Sequence, residues 1–200
     1  MTPTLTAQQI GFFAKNGFLE LEEVFTSAEW NTLISALSAH PSGRDLWRNI
    51  PSLQSLLLSR KLSGLLSSLS DEPSLRLACD HLFPADFSLA RPAQLKDFLC
   101  IQGLSIAFFL SLAPLSKPEK TAPLGLLPFP AKPGNLLFLK PQLLLQWPPA
   151  AAPLYLVTYA LPSAVYIHNP NDPAALFLKQ FGYGYGDRLR TNTHPLLNLF

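Results

Sequence analysis

Lys132-Pro133-Gly134-Asn135-Leu136-Leu137-Phe138-Leu139-Lys140-Pro141-Gln142-Leu143-Leu144-Leu145-Gln146-Trp147 reads as turn, strand, turn, strand. Pro133-Gly134 opens it, Lys140-Pro141 interrupts it, and each pair is followed by an apolar run too short for a helix and suited to a strand covered on both faces. Leucine does not seek strands, and Val and Ile are scarce, so propensity alone favours helix. From Leu75 onward the recurring prolines overrule propensity, because a helix interior does not tolerate them.

Working outward, the strands expected are Leu75 to Phe83, Leu99 to Leu112, Gly125 to Phe129, Asn135 to Leu139, Leu143 to Trp147, Leu154 to Leu161 and Val165 to His168. Short strands at this spacing suit a β-sandwich or barrel. Upstream, the texture is helical. Thr6-Ala7-Gln8-Gln9 and Thr26-Ser27-Ala28-Glu29 are capping boxes; the first opens a short helix ending near Gly17, the second one carrying Trp30, Leu33, Ile34 and Leu37 on one face. Phe18-Leu19-Glu20-Leu21 alternates between them as a strand, and a third helical region runs from about Ser52 to Leu69 on a leucine stripe. The expectation is a single domain: a mainly helical flank over 1–70, a β-roll core over 75–170 and a C-terminal segment over 171–200.

With 48% hydrophobic and 14% charged residues, the chain has more apolar surface than a typical soluble domain, which suits a Leu-packed core with part of the surplus covered by a ligand or partner. A net charge of +2 without a basic stripe argues against nucleic acid. Phe98 to Ser116 is uncharged, but Gln102, Gly103, Ser105, Ser111 and Pro114 interrupt it, so buried strands are expected there and not a membrane span. Cys79 and Cys100 lack metal-like spacing and suit buried thiols. With no signal peptide in Met1 to Thr6, the cytoplasm is the expected compartment.

The opening, helix, Asn-Gly, strand, glutamates, helix, resembles that of the phytanoyl-CoA dioxygenase-like branch of the iron and 2-oxoglutarate oxygenases. Leu75-Arg76-Leu77-Ala78-Cys79-Asp80-His81-Leu82-Phe83 is similar to the family strand preceding the metal triplet, Ile106 to Leu112 to the next strand, and Gly125-Leu126-Leu127-Pro128-Phe129 to a later turn. Leu178 to His194-Pro195-Leu196 resembles the C-terminal segment of some bacterial members. The resemblance implies an α+β fold: a double-stranded β-helix, or jelly roll, with helices, mainly N-terminal, covering one sheet. It also implies a His-x-Asp or His-x-Glu triplet and a distal His, because an iron oxygenase holds its metal on two imidazoles and a carboxylate.

Those ligands are missing from the expected positions. The triplet belongs between Pro84 and Phe98, where no histidine stands, and the distal histidine falls on Leu144, Leu145 or Gln146. None of His40, His81, His168 and His194 has a carboxylate two residues later. The strand Pro153 to Ala160 also lacks the arginine that grips the keto acid in the family. The expectation is therefore a degenerate relative without catalytic residues or cofactor, binding a small molecule or protein through the old pocket, with homo-oligomerisation open. The polar side chains on the lining strands, Asp80, His81, Gln102, Gln146, Tyr155 and Tyr159, are the candidate pocket residues. The alternative is a working oxygenase with Fe(II) and 2-oxoglutarate on a nonstandard site containing His81. Two further motifs read as structure: Gly103-Leu104-Ser105-Ile106-Ala107 imitates a nucleophile elbow, with Asp172 and His194 in triad order, but an apolar strand follows it instead of a helix. Gly182-Tyr183-Gly184-Tyr185-Gly186 lacks the helix and lysine of a phosphate loop.

Overall fold

The computed structural model describes residues 4–87, 91–114, 129, 132–146, 152–172 and 174–197. Both capping boxes form. Thr6 and Gln9 close the N-terminus of α1 (Ala7–Asn16), and Thr26 and Glu29 that of α2 (Ser27–Ser38), each pairing two amides that a helix start leaves open. Gly17 ends α1 in the left-handed conformation, its N–H donating to Phe13 O at 2.8 Å. Residues 52–69 form two helices where one was expected, α3 (Pro51–Leu57) and α4 (Arg60–Ser70), because Ser59 caps a new start on Leu62 N.

The strands are β1 (Phe18–Leu21), β2 (Gly43–Arg44), β3 (Arg76–Phe83), β4 (Ile101–Ser111), β5 (Leu136–Leu139) and β6 (Leu154–Tyr166), with a short helix α5 (Ala175–Gln180) after them. They make one six-stranded antiparallel sheet in the order β1-β5-β4-β6-β3-β2. Three expectations need correcting. Leu154 to Leu161 and Val165 to His168 are one strand, β6, which runs through Pro162 without a turn. Leu143 to Gln146 forms no strand, only an isolated bridge between Ala93 and Leu145. The short edge strand β2 carries no apolar run and was not anticipated. Gly125 to Pro128, Trp147 and residues 88–90 of the triplet interval lie outside the described residues.

Because side chains alternate along a strand, the sheet has two faces with different cover. On one, Leu77, Leu82, Ile106, Phe108, Leu110, Leu136, Phe138, Tyr155, Val157 and Tyr159 pack with Phe13, Leu33, Leu37, Leu53, Leu57, Leu62 and Leu66 of α1–α4. On the other, Cys79, Phe83, Ala107, Phe109, Leu137, Leu139, Leu154 and Leu156 pack with Leu95, Leu99, Phe129 and Leu145 from the loops opposite. A bulge at Ala78 sets the frame: Leu77 pairs with Tyr159 and Cys79 with Thr158, so Leu77 and Asp80 share a face although three residues apart. Gly103 makes a second irregularity in β4 with φ +96°, where a Cβ would lie 3.0 Å from the Ala164 Cα.

Candidate functional site

The loops opposite the second face of the sheet carry the residues that pack against it. They are held by the Ala93–Leu145 bridge, with N–H to O distances of 3.1 and 2.9 Å, and by Leu95 N–H on Pro141 O at 3.3 Å. These are the two stretches in which the family resemblance places the metal triplet and the distal histidine. They do meet in space, but they bring apolar groups. Of the three candidates for the distal position, Leu145 is the buried one, while Leu144 is 48% exposed and Gln146 is exposed. Leu95, Leu99, Phe109, Leu139 and Leu156 fill the space around Leu145.

The six side chains expected to share a pocket are distributed over different surroundings. Asp80, Tyr155 and Tyr159 point toward the helices. Asp80 is fully buried and its carboxylate accepts Leu46 N–H at 2.7 Å, Trp47 N–H at 2.9 Å and the Tyr155 hydroxyl at 2.5 Å. It thereby caps the 3-10 turn Leu46–Arg48 and ties it to the sheet. Burial pushes this carboxyl up to about 6. Tyr159 donates to Leu57 O at 2.9 Å, the last residue of α3. Gln102 and Gln146 are exposed. His81 alone of the six faces the loops opposite the sheet. It pairs in register with Arg44 and Leu156, its ring stacks on Phe83 at 3.9 Å, and its buried Nδ1 has no hydrogen-bond partner. Burial, and then the nearby Arg44 charge, lower it to about 4, so it is a neutral imidazole at pH 7.

Beside His81 lies a charged cluster that sequence reasoning missed. Arg44 Nε and Nη2 reach Asp172 Oδ1 and Oδ2 at 3.2 and 2.9 Å, a bidentate pair, and Nη1 donates to Asp45 Oδ1 at 3.0 Å and Asp80 O at 3.3 Å. Asp172 also accepts Cys100 N–H at 2.7 Å and Ala174 N–H at 2.8 Å. Burial opposes ionisation of Asp172, but the guanidinium outweighs it and holds the carboxyl below the usual range. Arg44 and Asp172 stand 128 residues apart, and no local motif links them. The thiols next to this cluster are inert. Burial raises both, Cys79 to about 12, and Cys79 Sγ lies 2.9 Å from Thr158 Oγ1.

The triad imitation dissolves as well. Ser105 sits inside β4, and Asp172 is engaged by Arg44. His194 is fully buried with Nε2 3.1 Å from Arg48 Nη2 and Nδ1 3.0 Å from Thr193 Oγ1. A guanidinium only donates, so Nε2 accepts and the proton resides on Nδ1. Burial and the Arg48 charge push this imidazole down to about 3. Among the described residues no helix is long and apolar enough to cross a membrane.

No protein-family model matches the sequence, and no curated protein resembles it at the sequence level. Solved structures do resemble it. The chain superposes on the non-heme alpha ketoglutarate dependent carbocyclase SnoK of nogalamycin biosynthesis with a TM-score of 0.75, 13% identity and coverage of 98% of this chain and 97% of that one. It matches the epimerase SnoN of the same biosynthesis at 0.69, with 14% identity and 96% and 98% coverage. EctD from S. alaskensis, with 2-oxoglutarate and 5-hydroxyectoine, matches at 0.59, with 14% identity and 80% and 77% coverage. The expectation of no cofactor is overturned by these relatives: SnoN is seen with Fe3+ and alpha ketoglutarate, EctD with 2-oxoglutarate, and HygX from Streptomyces hygroscopicus with nickel and 2-oxoglutarate. The described residues nevertheless do not fit such a group, since no three His, Cys, Asp or Glu side chains among them converge. At these identities the likeness establishes the fold, that of the iron and 2-oxoglutarate-dependent oxygenases.

Proposed function

We propose that this chain is a single-domain, degenerate phytanoyl-CoA dioxygenase-like protein of the cytoplasm that acts by binding, not by keto-acid oxidation. The observation that carries the reading is the apolar filling of the barrel by Leu95, Phe109, Leu145 and Leu156, at and around the position where the family places a metal ligand. The polar groups nearest that filling are largely committed to one another: Arg44 to Asp172 and Asp45, and Cys79 to Thr158. Oxidation of a keto acid needs two imidazoles and a carboxylate around one open centre. One imidazole, His81, faces the loops opposite the sheet.

The test is succinate formation from 2-oxoglutarate with Fe(II) and dioxygen. The expected rate equals that of Fe(II) without protein; turnover that requires the protein overturns the reading. One observation favours a second reading, an oxygenase with a nonstandard centre: the buried Nδ1 of His81, on an imidazole that is neutral at pH 7, has no hydrogen-bond partner. Protein-dependent turnover abolished by His81→Ala is the result that reading requires.

A further inference from the structure

Beyond the barrel, the surface around α5 collects apolar side chains that the fold does not use. Leu176 is 68% exposed, Phe177 37%, Phe181 38% and Tyr185 79%. They form one patch. The Phe177 and Phe181 rings meet edge to face at 5.0 Å, and Tyr166 joins the helix to the following turn: its hydroxyl donates to Ala175 O at 2.6 Å, and its carbonyl accepts Gly186 N–H at 2.9 Å. Leu176 and Tyr185 are the chain neighbours of those two anchored residues, so one tyrosine's length separates the points that carry them.

The charges around the patch are one-sided. Residues 174–197 hold Lys179, Arg188 and Arg190 against a single carboxylate, Asp187. Asp187 is turned into its own loop, where Oδ2 accepts Gly184 N–H at 2.7 Å. Arg190 covers the Tyr183 ring at 4.4 Å and donates to Phe181 O, which fixes a cation at the margin of the patch. Among the described residues, Lys179 and Arg188 have no carboxylate partner. Arg48, from the turn after β2, lies with its guanidinium 5.5 Å from the Phe181 ring, its charge paired with Asp45 at 3.4 Å.

We infer that this face is a docking surface for an anionic lipid membrane, entered by Leu176, Phe177, Phe181 and Tyr185 and held by Lys179, Arg188 and Arg190. Leucine and aromatic rings on a projecting turn, ringed by basic residues, match an interface that is apolar just below an anionic plane. Leu176 and Tyr185, the most exposed of the four, lie on the short helix and on the turn after it, and a flat bilayer receives exposed side chains without needing a cleft. The inference stands whether or not the barrel is catalytic.

The experiment is cosedimentation of the full chain with vesicles of phosphatidylcholine alone and of phosphatidylcholine with phosphatidylserine. Binding is expected only with phosphatidylserine present and should fall as salt rises. Lys179→Gln and Arg188→Gln should each weaken it about five-fold. Leu176→Asp and Tyr185→Asp, at side chains mostly in solvent, should abolish it with the thermal melt unchanged. Absence of binding overturns the inference, as does equal binding to both vesicles. It is equally overturned if poly-glutamate binds this face as tightly as the vesicles do, or if the same variants break a dimer in sedimentation equilibrium, which would assign the face to an acidic protein or to a second copy.

Discussion

The two faces of the sheet bury polar groups in different ways. Toward the helices, Asp80, Tyr155 and Tyr159 are each spent on a neighbouring backbone or side chain: Asp80 joins the sheet to the 3-10 turn, Tyr159 joins it to α3, and Tyr155 braces Asp80 from the next strand. Toward the opposite loops, the described residues place charge on a rim of Arg44, Asp45 and Asp172 and apolar side chains behind it, where the His81 ring lacks a partner at Nδ1. On the first face polarity fixes where helices sit. On the second it seals an edge, and the interior relies on packing alone.

The contrast can be broken most severely at the rim. Asp172→Ala leaves the buried Arg44 guanidinium without its bidentate partner and should cost about 4 kcal/mol of stability in urea unfolding. A smaller loss is expected if the barrel is a packed core: Leu145→Ala should destabilise by about 3 kcal/mol through the cavity it leaves, whereas an open site would tolerate it. The buried titratable groups also oppose each other in pH. As pH falls below 6.5, the unfolded chain protonates the counterparts of His81 and His194, which the folded protein keeps neutral down to about 4 and about 3, so stability is lost. Folded Asp80 takes its proton near 6, well above its ordinary 3.8, so its contribution rises over the same range. Two groups against one leaves a net loss of about 1.4 kcal/mol per pH unit between pH 6 and 4, and His194→Gln should flatten that slope in pH-dependent melts. Tyr159→Phe, which removes the hydroxyl on Leu57 O, should cost about 1 kcal/mol.

Much of the scaffold could be read in advance because punctuation is local. Thr6 with Gln9, Thr26 with Glu29, and Pro133-Gly134 act over three or four residues, and the elements they bound appear where the sequence puts them. The site was less legible. Asp80 and His81 are consecutive on one strand and must face opposite ways, so both cannot line one cavity. The bulge at Ala78 shifts the frame of β3 without a glycine or proline to mark it. Arg44 meets Asp172 across 128 residues, a pairing that only the finished topology creates. Of Leu144, Leu145 and Gln146, the three residues the resemblance offered for the distal ligand, Leu145 is the buried one, a choice that depends on the Ala93–Leu145 bridge and so on the folded chain.

The seam beside β3 has a consequence for biosynthesis. Leu77 N–H donates to Pro195 O at 3.0 Å and Leu197 N–H to Leu75 O at 2.8 Å, so the start of that strand is stitched by residues that leave the ribosome far later. A nascent polypeptide that has extruded all six strands still exposes this margin, and a slow, long-range closure follows once the stitching segment emerges. Stalled or prematurely released products would show unpaired backbone to proteases and to one another, which makes the seam the place where quality control can distinguish finished from unfinished molecules.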